Sequence, residues 1–333
     1  MGLVTLPEKK IIDPGSLIKT PASKTLIQTK LVGDVYVPDE ILDLDIFLGF
    51  DYSQAEVRML AELSGDPLLI QQFNLGFDIH SLVGSTLTGW PPERIKAEEN
   101  VRKLVKNMVF GIIYGLQENN LYDYVVGKIR AIDGEKADLT GITKERLSTL
   151  YRAFFKKYRG VALFIDKMRE IADKTGYVPT LFGFNREIRK EDASRQTFWG
   201  NQAINSPVQG SAHQLMLITM AMLHLKPYTY KLLQRPMMEV HDALYFFTKV
   251  REMAQAYEQG LELLQKGVIQ FATKLFKKQI HVPFKAEAKI GFCMGSMVDY
   301  AGGPIAEALQ KWREKHKAIE EKSWKKLLTT SDY

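Results

Sequence analysis

The sequence predicts an α+β protein, because strand-like and helix-like segments follow one another along its 333 residues without regular alternation. The first observation is an apolar run at residues 46–50, typical of a short buried strand, which ends directly at Asp51. The second is segment 237–247, which predicts two short strands joined at His241 and Asp242. Helical periodicity dominates most of the remaining chain, so strands and helices are mixed without regular alternation.

The order of the predicted elements follows from apolar spacing and from Gly and Pro positions. The elements are loops and short strands in residues 1–45, a strand to Phe50, a helix from Ser53 to Gly65, a long helix from Glu93 to Tyr114, a polar connection at 130–145, helical pattern at 143–174, a hairpin at 175–189, a helix at 196–225 interrupted by Pro207, a helix at 251–278, a strand at 281–290 and a helix at 304–328. This arrangement favours an α+β fold over a doubly wound sheet.

Composition and charge describe an ordinary globular chain that is mildly basic. The net charge is +6 and the isoelectric point is about 9.0, which fits a polyanionic partner without requiring one. The single cysteine, Cys293, excludes an intrachain disulfide and fits a reducing compartment. The first ten residues lack a signal-peptide pattern, and no apolar run approaches the roughly 20 residues that span a bilayer. We therefore expect a cytoplasmic protein, bacterial or from a phage-infected host, with no membrane partner.

Two aspartates at strand ends are the first candidates for chemistry. Mg²⁺ prefers carboxylate oxygens and needs few protein ligands, so Asp51 and Asp242, brought together by folding, could hold metal for phosphoryl transfer. Each also has a plain structural explanation. Asp51 could stabilise a helix N-terminus, and Asp242 could occupy a hairpin turn. Glu56 could be the partner of Ser53 in a capping box.

A cationic and aromatic stripe marks the helix predicted at residues 93–114. Arg102, Lys106, Phe110 and Tyr114 recur every four residues and form a slanting line about 18 Å long. Two cations followed by two aromatic rings match a triphosphate with an attached base. The plain alternative is an amphipathic helix with solvated cations and core aromatics. A separate apolar face, which is formed by Val105, Met108, Val109, Ile112 and Ile113, leaves the stripe free for a ligand.

Several motifs in one order give the chain a family resemblance. Residues 51–58 (Asp-Tyr-Ser-Gln-Ala-Glu-Val-Arg), the helix at 102–115 and the Val-His-Asp segment at 240–242 resemble the first palm motif, the fingers helix and the second palm motif of the A-family (bacterial DNA polymerase I-like) DNA polymerases. Further matching segments are 78–80, 180–183 and 204–210. The likeness runs from about Thr20 to Gly295. It implies an α+β right-hand architecture with an antiparallel palm sheet and a mainly helical fingers subdomain.

The resemblance implies a function and a role for each matching residue. The implied activity is template-directed addition of dNTPs to a primer 3′-hydroxyl by two-metal nucleotidyl transfer, with two Mg²⁺ ions that Mn²⁺ could replace. Primer–template DNA and dNTPs are the implied partners. The implied metal ligands are Asp51, Asp242 and the Tyr52 backbone carbonyl, and the implied catalytic residues are Asp51, Asp242 and Lys106. The implied nucleotide contacts are Tyr52, Gln54, Glu56, His80, Arg102, Lys106, Phe110 and Tyr114. The implied DNA contacts are Asn205, Gln209 and His241. Glu56 would exclude a ribose 2′-hydroxyl.

The same resemblance exposes departures from the family pattern. Ala243 occupies the position where the family usually has Glu, so we expect activity with altered metal dependence. The expected organisation is palm at 1–64, fingers at 65–200, palm at 201–300 and a helical extension at 301–333. We expect the thumb to be absent from this chain and supplied by a second polypeptide, perhaps with an exonuclease. The residues of the extension at helical spacing are Ile305, Leu309, Trp312, His316 and Ile319. This helix either packs on its own palm or is a docking helix for that partner.

Two other functions remain open at this stage. A single-subunit RNA polymerase shares the palm and the cationic helix, but Glu56 argues against it. A catalytically inactive nucleic-acid-binding or scaffold subunit is the other. Retention of Asp51, Asp242 and Lys106 argues against that function, because a binding module needs no metal pair.

Overall fold

The computed structural model describes residues 29–32, 35–113, 115–134, 142–189, 199–233 and 236–329. Its strands are β1 (Thr29–Val32), β2 (Val35–Pro38), β3 (Asp45–Tyr52), β4 (Tyr177–Pro179), β5 (Asn185–Glu187), β6 (Pro236–Val240), β7 (Ala243–Lys249), β8 (Ala286–Gly291) and β9 (Val298–Tyr300). Its main helices are α1 (Asp39–Leu42), α2 (Ala55–Ser64), α3 (Pro67–Asn74), α4 (Ile79–Thr88), α5 (Pro92–Ala97), α6 (Glu99–Ile113), α7 (Leu121–Asp133), α8 (Lys144–Lys157), α9 (Arg159–Thr175), α10 (Trp199–Leu225), α11 (Met253–Glu262), α12 (Val268–Phe276) and α13 (Ile305–Thr329).

The described residues form two compact units. The sheet unit comprises their members within 29–53, 216–271 and 285–329, and the helical unit comprises those within 54–215 and 272–284. The chain therefore enters the sheet unit at three separate stretches. None of the described helices has the length and apolar character needed to cross a membrane.

A five-stranded antiparallel sheet organises the sheet unit. The strand order is β6-β7-β3-β8-β9, with β3 in the centre. Side chains alternate along β3, so that Ile46, Leu48 and Phe50 are fully buried on one face while Asp51 is exposed on the other. The α+β class predicted from the sequence is confirmed by this sheet and its segregated helices.

A close approach between β3 and α11 closes the core beneath the sheet. The Phe50 ring stacks on Tyr257 with centroids 6.4 Å apart. A Cβ at Gly260 would lie 2.0 Å from the Phe50 ring, so only glycine fits there. This packing fixes the strand that carries Asp51.

The C-terminal helix α13 packs on its own sheet unit. Ile305, Leu309 and Trp312 are buried, and the Trp312 ring lies 5.0 Å from Phe292. A Cβ at Gly291 would lie 2.7 Å from Trp312. These apolar residues therefore pack on the chain's own sheet unit, as the simpler of the two explanations predicts. The Ile319 side chain lies outside the described part of the chain.

Helices and one hairpin build the helical unit. Asp66 joins two of its helices, since one carboxylate oxygen accepts the Leu69 N–H at 2.9 Å and the other accepts the Gly160 N–H at 2.8 Å. The first bond caps α3. The second holds the start of α9, where a Cβ on Gly160 would lie 2.7 Å from the Asp66 Cα.

Most predicted elements are confirmed, with boundaries shifted by a few residues. The strand to Phe50, the hairpin formed by β4 and β5, the strand pair β6 and β7 and the final helix are all present. Gly65 ends α2 in the left-handed conformation, with φ of 61°. The predictions for residues 1–28 and for Tyr114 concern positions outside the described residues.

The breaks within three predicted helical segments differ from the structure. The helix expected from Glu93 to Tyr114 is two helices, because Glu98 adopts an extended conformation between α5 and α6. The pattern at 143–174 breaks at Tyr158, which is also non-helical. Conversely, Pro207 does not interrupt α10, and the Ser211 hydroxyl donates to the Pro207 carbonyl at 2.5 Å within the continuous helix.

Two further predictions need correction. The capping box is not formed as expected, because Gln54 rather than Ser53 is the N-cap of α2 and its side chain makes no cap hydrogen bond. The last strand begins at Ala286 rather than residue 281. The N–H groups of His281 and Val282 instead donate to the Glu62 carboxylate at 2.8 and 3.0 Å.

Candidate active site

The two strand-end aspartates lie together in the sheet unit. Asp51 is the penultimate residue of β3 and pairs in register with Ala243, which directly follows Asp242 in the turn between β6 and β7. His241 in that turn has a left-handed φ of 58°, unusual for a residue with a side chain. The sheet therefore brings the two carboxylates close together, as the sequence predicts.

The electrostatics of Asp51 show how close the two carboxyl groups are. Desolvation raises the pKa of Asp51 to about 6, and the neighbouring Asp242 carboxylate adds to this rise. Glu287, opposite Asp51 on β8, raises it further, whereas the Lys289 ammonium lowers it. Two carboxylates held side by side repel each other, and a bound cation would relieve that repulsion.

The donor set fits a hard divalent cation that is only partly enclosed by protein. Among the described residues, no group of three or more His, Cys, Asp or Glu side chains could hold a metal ion. Mg²⁺ commonly binds through one or two carboxylates and completes its shell with water and substrate phosphates. The Asp51 and Asp242 pair is compatible with that mode.

Tyr52 and Gln54 flank the turn from β3 into α2. The Tyr52 hydroxyl is buried and donates to the Leu264 carbonyl at 2.8 Å, inside the π-helical turn Leu263–Gly267. Its side chain is therefore committed to the core of the sheet unit. Gln54 has a left-handed φ of 55°, and its side-chain oxygen is buried without a hydrogen-bond partner among the described residues.

A cationic and aromatic group occupies one side of the helical unit. Lys106 lies 5.6 Å from the centroid of the Phe110 ring, and the His80 ring lies 6.1 Å from the same ring. Arg102 is 45% exposed and lies 3.5 Å from the Asp78 carboxylate. The structure thus brings together four of the predicted nucleotide-binding residues; Tyr114 lies outside the described part.

His80 is neutral and partly unsatisfied in this group. Burial lowers the pKa of His80 to about 4, with Asp78 opposing and the Lys106 and Arg102 charges adding to the fall. Its Nε2 atom is buried without a hydrogen-bond partner among the described residues. A neutral imidazole donates from one nitrogen only, so Nε2 can bind an anionic oxygen only in the tautomer that carries its proton on Nε2.

Asp78 is a residue whose role sequence reasoning missed. It accepts the Ser81 hydroxyl at 2.6 Å and lies within 3.7 Å of both His80 and Arg102. The available signal was its position just before α4, in the segment already matched at 78–80. Its carboxylate orients the two side chains predicted to meet the triphosphate.

A third group links two distant parts of the helical unit. The Gln209 amide donates to the Glu56 carboxylate at 3.1 Å, and the Asn205 amide donates to the Gln209 carbonyl at 3.1 Å. Asn205 and Gln209 lie one turn apart on α10, whereas Glu56 lies in the first turn of α2. The sequence named all three residues but did not predict that they contact each other.

An antiparallel sheet with paired strand-end carboxylates, in a chain that also carries a helix lined with cations, defines the polymerase-like class of α+β nucleotidyltransferase folds. The family-level comparison agrees with that class. A profile of DNA polymerase family A matches residues 28–295, and the chain belongs to this family.

Individual relatives are similar to most of the described chain. DNA polymerase I of Chloroflexus aurantiacus is 31% identical over 247 residues, covering 74% of this chain and 24% of the relative. The thermostable DNA polymerase I of Thermus thermophilus is 32% identical, covering 73% of this chain and 26% of the relative. The chain therefore spans about a quarter of the length of these relatives.

A solved structure is similar in fold as well as in sequence. It is the POL domain of Pol1 from M. smegmatis in complex with DNA primer-template and dNTP. The TM-score is 0.60 at 27% identity, and the match covers 74% of this chain and 39% of that one. The right-hand polymerase fold expected from the motifs is confirmed at this level.

Proposed function

We propose that the chain is a template-directed DNA polymerase that adds dNTPs to a primer 3′-hydroxyl. The observation that carries the proposal is the Asp51 and Asp242 pair, in which desolvation and, second to it, repulsion from Asp242 raise the pKa of Asp51. A fold that maintains this repulsion gains nothing in stability from it. A cation bound between the two carboxylates would offset this cost.

The implied metals have suitable ligands in the sheet unit. Two Mg²⁺ ions, which Mn²⁺ could replace, would be held by the carboxylates of Asp51 and Asp242 and by the Tyr52 carbonyl. When bound, such ions neutralise charge on the attacking and leaving oxygens. Ala243 offers no additional carboxylate, so we expect weaker metal binding than in a protein with Glu at that position.

The reaction that follows is an in-line displacement. The primer 3′-oxygen bonds to the α-phosphorus, the bond from that phosphorus to the bridging oxygen breaks, and pyrophosphate leaves. The hydroxyl proton passes to water, and Lys106 donates a proton to the leaving pyrophosphate. Lys106 is exposed and its neighbour Phe110 is uncharged, so the ammonium group is free to meet a phosphate.

The helical unit would hold the incoming nucleotide. Arg102 and Lys106 would supply positive charge, and His80, in the tautomer protonated at Nε2, would donate that N–H to the triphosphate. Phe110 would pack against sugar and base, and the family resemblance assigns Tyr114 to the templating position. Gln54 and Glu56 would lie at the sugar, where Glu56 excludes a 2′-hydroxyl.

The duplex contacts complete the proposal. Asn205 and Gln209 would touch the minor groove near the primer end, and His241 would touch the primer terminus. Acceptors in the minor groove are nearly alike for all correct pairs, so such contacts check pair shape without reading sequence.

The domain assignment and the partner are parts of the same proposal. We assign palm to 1–64 and 201–300, fingers to 65–200 and an extension to 301–333. A second polypeptide would supply a thumb, either alone or together with an exonuclease. Such a partner would not dock on Ile305, Leu309 and Trp312, because these side chains are buried in the sheet unit.

Primer extension with Mg²⁺ and dNTPs tests the proposal. We expect the wild-type chain to extend the primer and Asp242→Asn to lose activity by at least about a thousandfold, since the carboxylate charge is essential to metal binding. Asp299→Asn is a matched control, because Asp299 is 90% exposed at the edge of the same sheet. No extension by the wild-type chain, alone or with candidate thumb-bearing partners, would favour an inactive nucleic-acid-binding subunit. Preference for rNTPs over dNTPs would instead favour an RNA polymerase.

A further inference from the structure

The hydrogen bonds among Asn205, Gln209 and Glu56 form a chain with a defined direction, here named the amide relay. Asn205 Nδ2 donates to Gln209 Oε1 at 3.1 Å, and Gln209 Nε2 donates to Glu56 Oε1 at 3.1 Å. All three side chains belong to the helical unit. The relay joins a residue assigned to the incoming sugar to two residues assigned to the duplex.

The carboxylate of Glu56 fixes the direction of this chain. An ionised carboxylate has only acceptors, so Gln209 must turn its NH₂ group towards Glu56. The Gln209 carbonyl then faces Asn205, which must present its own NH₂ group. The Asn205 carbonyl oxygen is consequently left buried without a hydrogen-bond partner among the described residues. Without the negative charge, either amide orientation would satisfy Gln209.

The orientation of Gln209 matters because an amide has a donor end and an acceptor end. Only one of the two Nε2 hydrogens is used by Glu56, so the second can be donated to a ligand. In the minor groove, purine N3 and pyrimidine O2 are acceptors in every correct pair. A flipped Gln209 would offer its carbonyl to these acceptors and would repel them.

We propose that Glu56 positions Gln209 as a hydrogen-bond donor to the primer-end base pair, and so couples recognition of the duplex end to recognition of the incoming sugar. Glu56 is in this respect a positioning residue for the duplex, in addition to its proposed contact with the sugar. The inference rests on the proposed polymerase function, because it uses the duplex and sugar assignments made above.

A double-mutant cycle with Glu56→Gln and Gln209→Ala tests the coupling. Glu56→Gln keeps the size of the side chain and removes the charge that sets the orientation. Equilibrium binding to primer–templates with matched or mismatched ends is measured by fluorescence anisotropy without dNTPs. We expect Glu56→Gln to lower the preference for the matched end about fivefold, the effect of one hydrogen bond. In the Gln209→Ala background, Glu56→Gln should change that preference no further.

Controls separate the inference from folding defects and from the proposed function. Gln214→Ala removes another glutamine of α10 outside the relay and should leave the matched-end preference unchanged. Thermal unfolding of each variant checks that the fold is intact. If the two substitutions act independently, or if Glu56→Gln alters only dNTP over rNTP selection, the coupling is wrong while the polymerase function stands. If the wild-type chain extends no primer, the proposed function fails independently of the binding cycle.

Discussion

At the scale of single residues, the ionised Asp51 carboxylate lowers the stability of the metal-free protein at the site proposed to bind metal. Above pH 6 the folded chain holds Asp51 ionised against desolvation and against the neighbouring Asp242, and both costs are absent after unfolding. We expect Asp51→Asn to stabilise the metal-free protein at pH 7.5 by about 1 kcal/mol, a value reduced for solvent screening because the side chain is exposed.

The measurement is chemical unfolding of both proteins with EDTA and with 10-fold steps of added Mg²⁺. Mg²⁺ should stabilise the wild-type protein and have a smaller effect on Asp51→Asn, since the variant has lost a ligand. Asp45→Asn, at the other end of β3, is the control because its carboxylate pairs with Lys249 instead. Equal Mg²⁺ stabilisation of wild type and Asp51→Asn would contradict the metal assignment.

At the scale of elements, local sequence patterns predicted what local forces decide. The apolar run at 46–50 predicted β3, and the segment around His241 and Asp242 predicted the β6 and β7 pair, because burial and turn geometry act between neighbours. The break at Glu98 was missed, since the residues around it favour helix and tertiary packing overrides that preference.

The relay and the start of β8 show why part of the site lay beyond sequence reasoning. Gln209 and Glu56 are 153 positions apart, and the Glu62 carboxylate that binds the N–H of His281 is 219 positions away. Residue type and spacing identify such residues as candidates. They carry no information on which distant side chain completes the hydrogen bond, because that depends on how the helices pack.

The C-terminal helix gives a prediction at the same scale. Trp312 is 3% exposed and packs on Phe292 and Gly291, so Trp312→Ala should destabilise the protein by about 3–5 kcal/mol. Lys311→Ala, at an exposed neighbouring position, should change stability by less than about 0.5 kcal/mol. Urea unfolding measures both. A Trp312→Ala protein as stable as wild type would show that α13 does not contribute to the sheet unit and would reopen the docking hypothesis.

At the scale of the whole molecule, one titratable group in each unit shifts stability with pH, and the two shifts have opposite signs. In the sheet unit, the pKa of Asp51 is raised from 3.8 to about 6, so its contribution to stability increases as the pH falls through that window. In the helical unit, the pKa of His80 is lowered from 6.5 to about 4, so its contribution is lost as the pH falls from 6.5 towards 4. Below pH 6, the two effects oppose each other.

Magnitudes decide which effect dominates in the intact chain. His80 is 5% exposed, and its pKa difference corresponds to about 3 kcal/mol, whereas the exposed Asp51 contributes about 1 kcal/mol after screening. We therefore expect net destabilisation from pH 6.5 to 4.5, measured by urea unfolding at constant ionic strength. His80→Gln should flatten this acid slope because glutamine does not titrate, and Asp51→Asn should steepen it because the opposing contribution is removed. Unfolding exposes His80, which then binds a proton at acidic pH, and this proton uptake destabilises the folded wild-type protein. If the pH dependence of stability were the same in His80→Gln, groups other than His80 would determine the acid response.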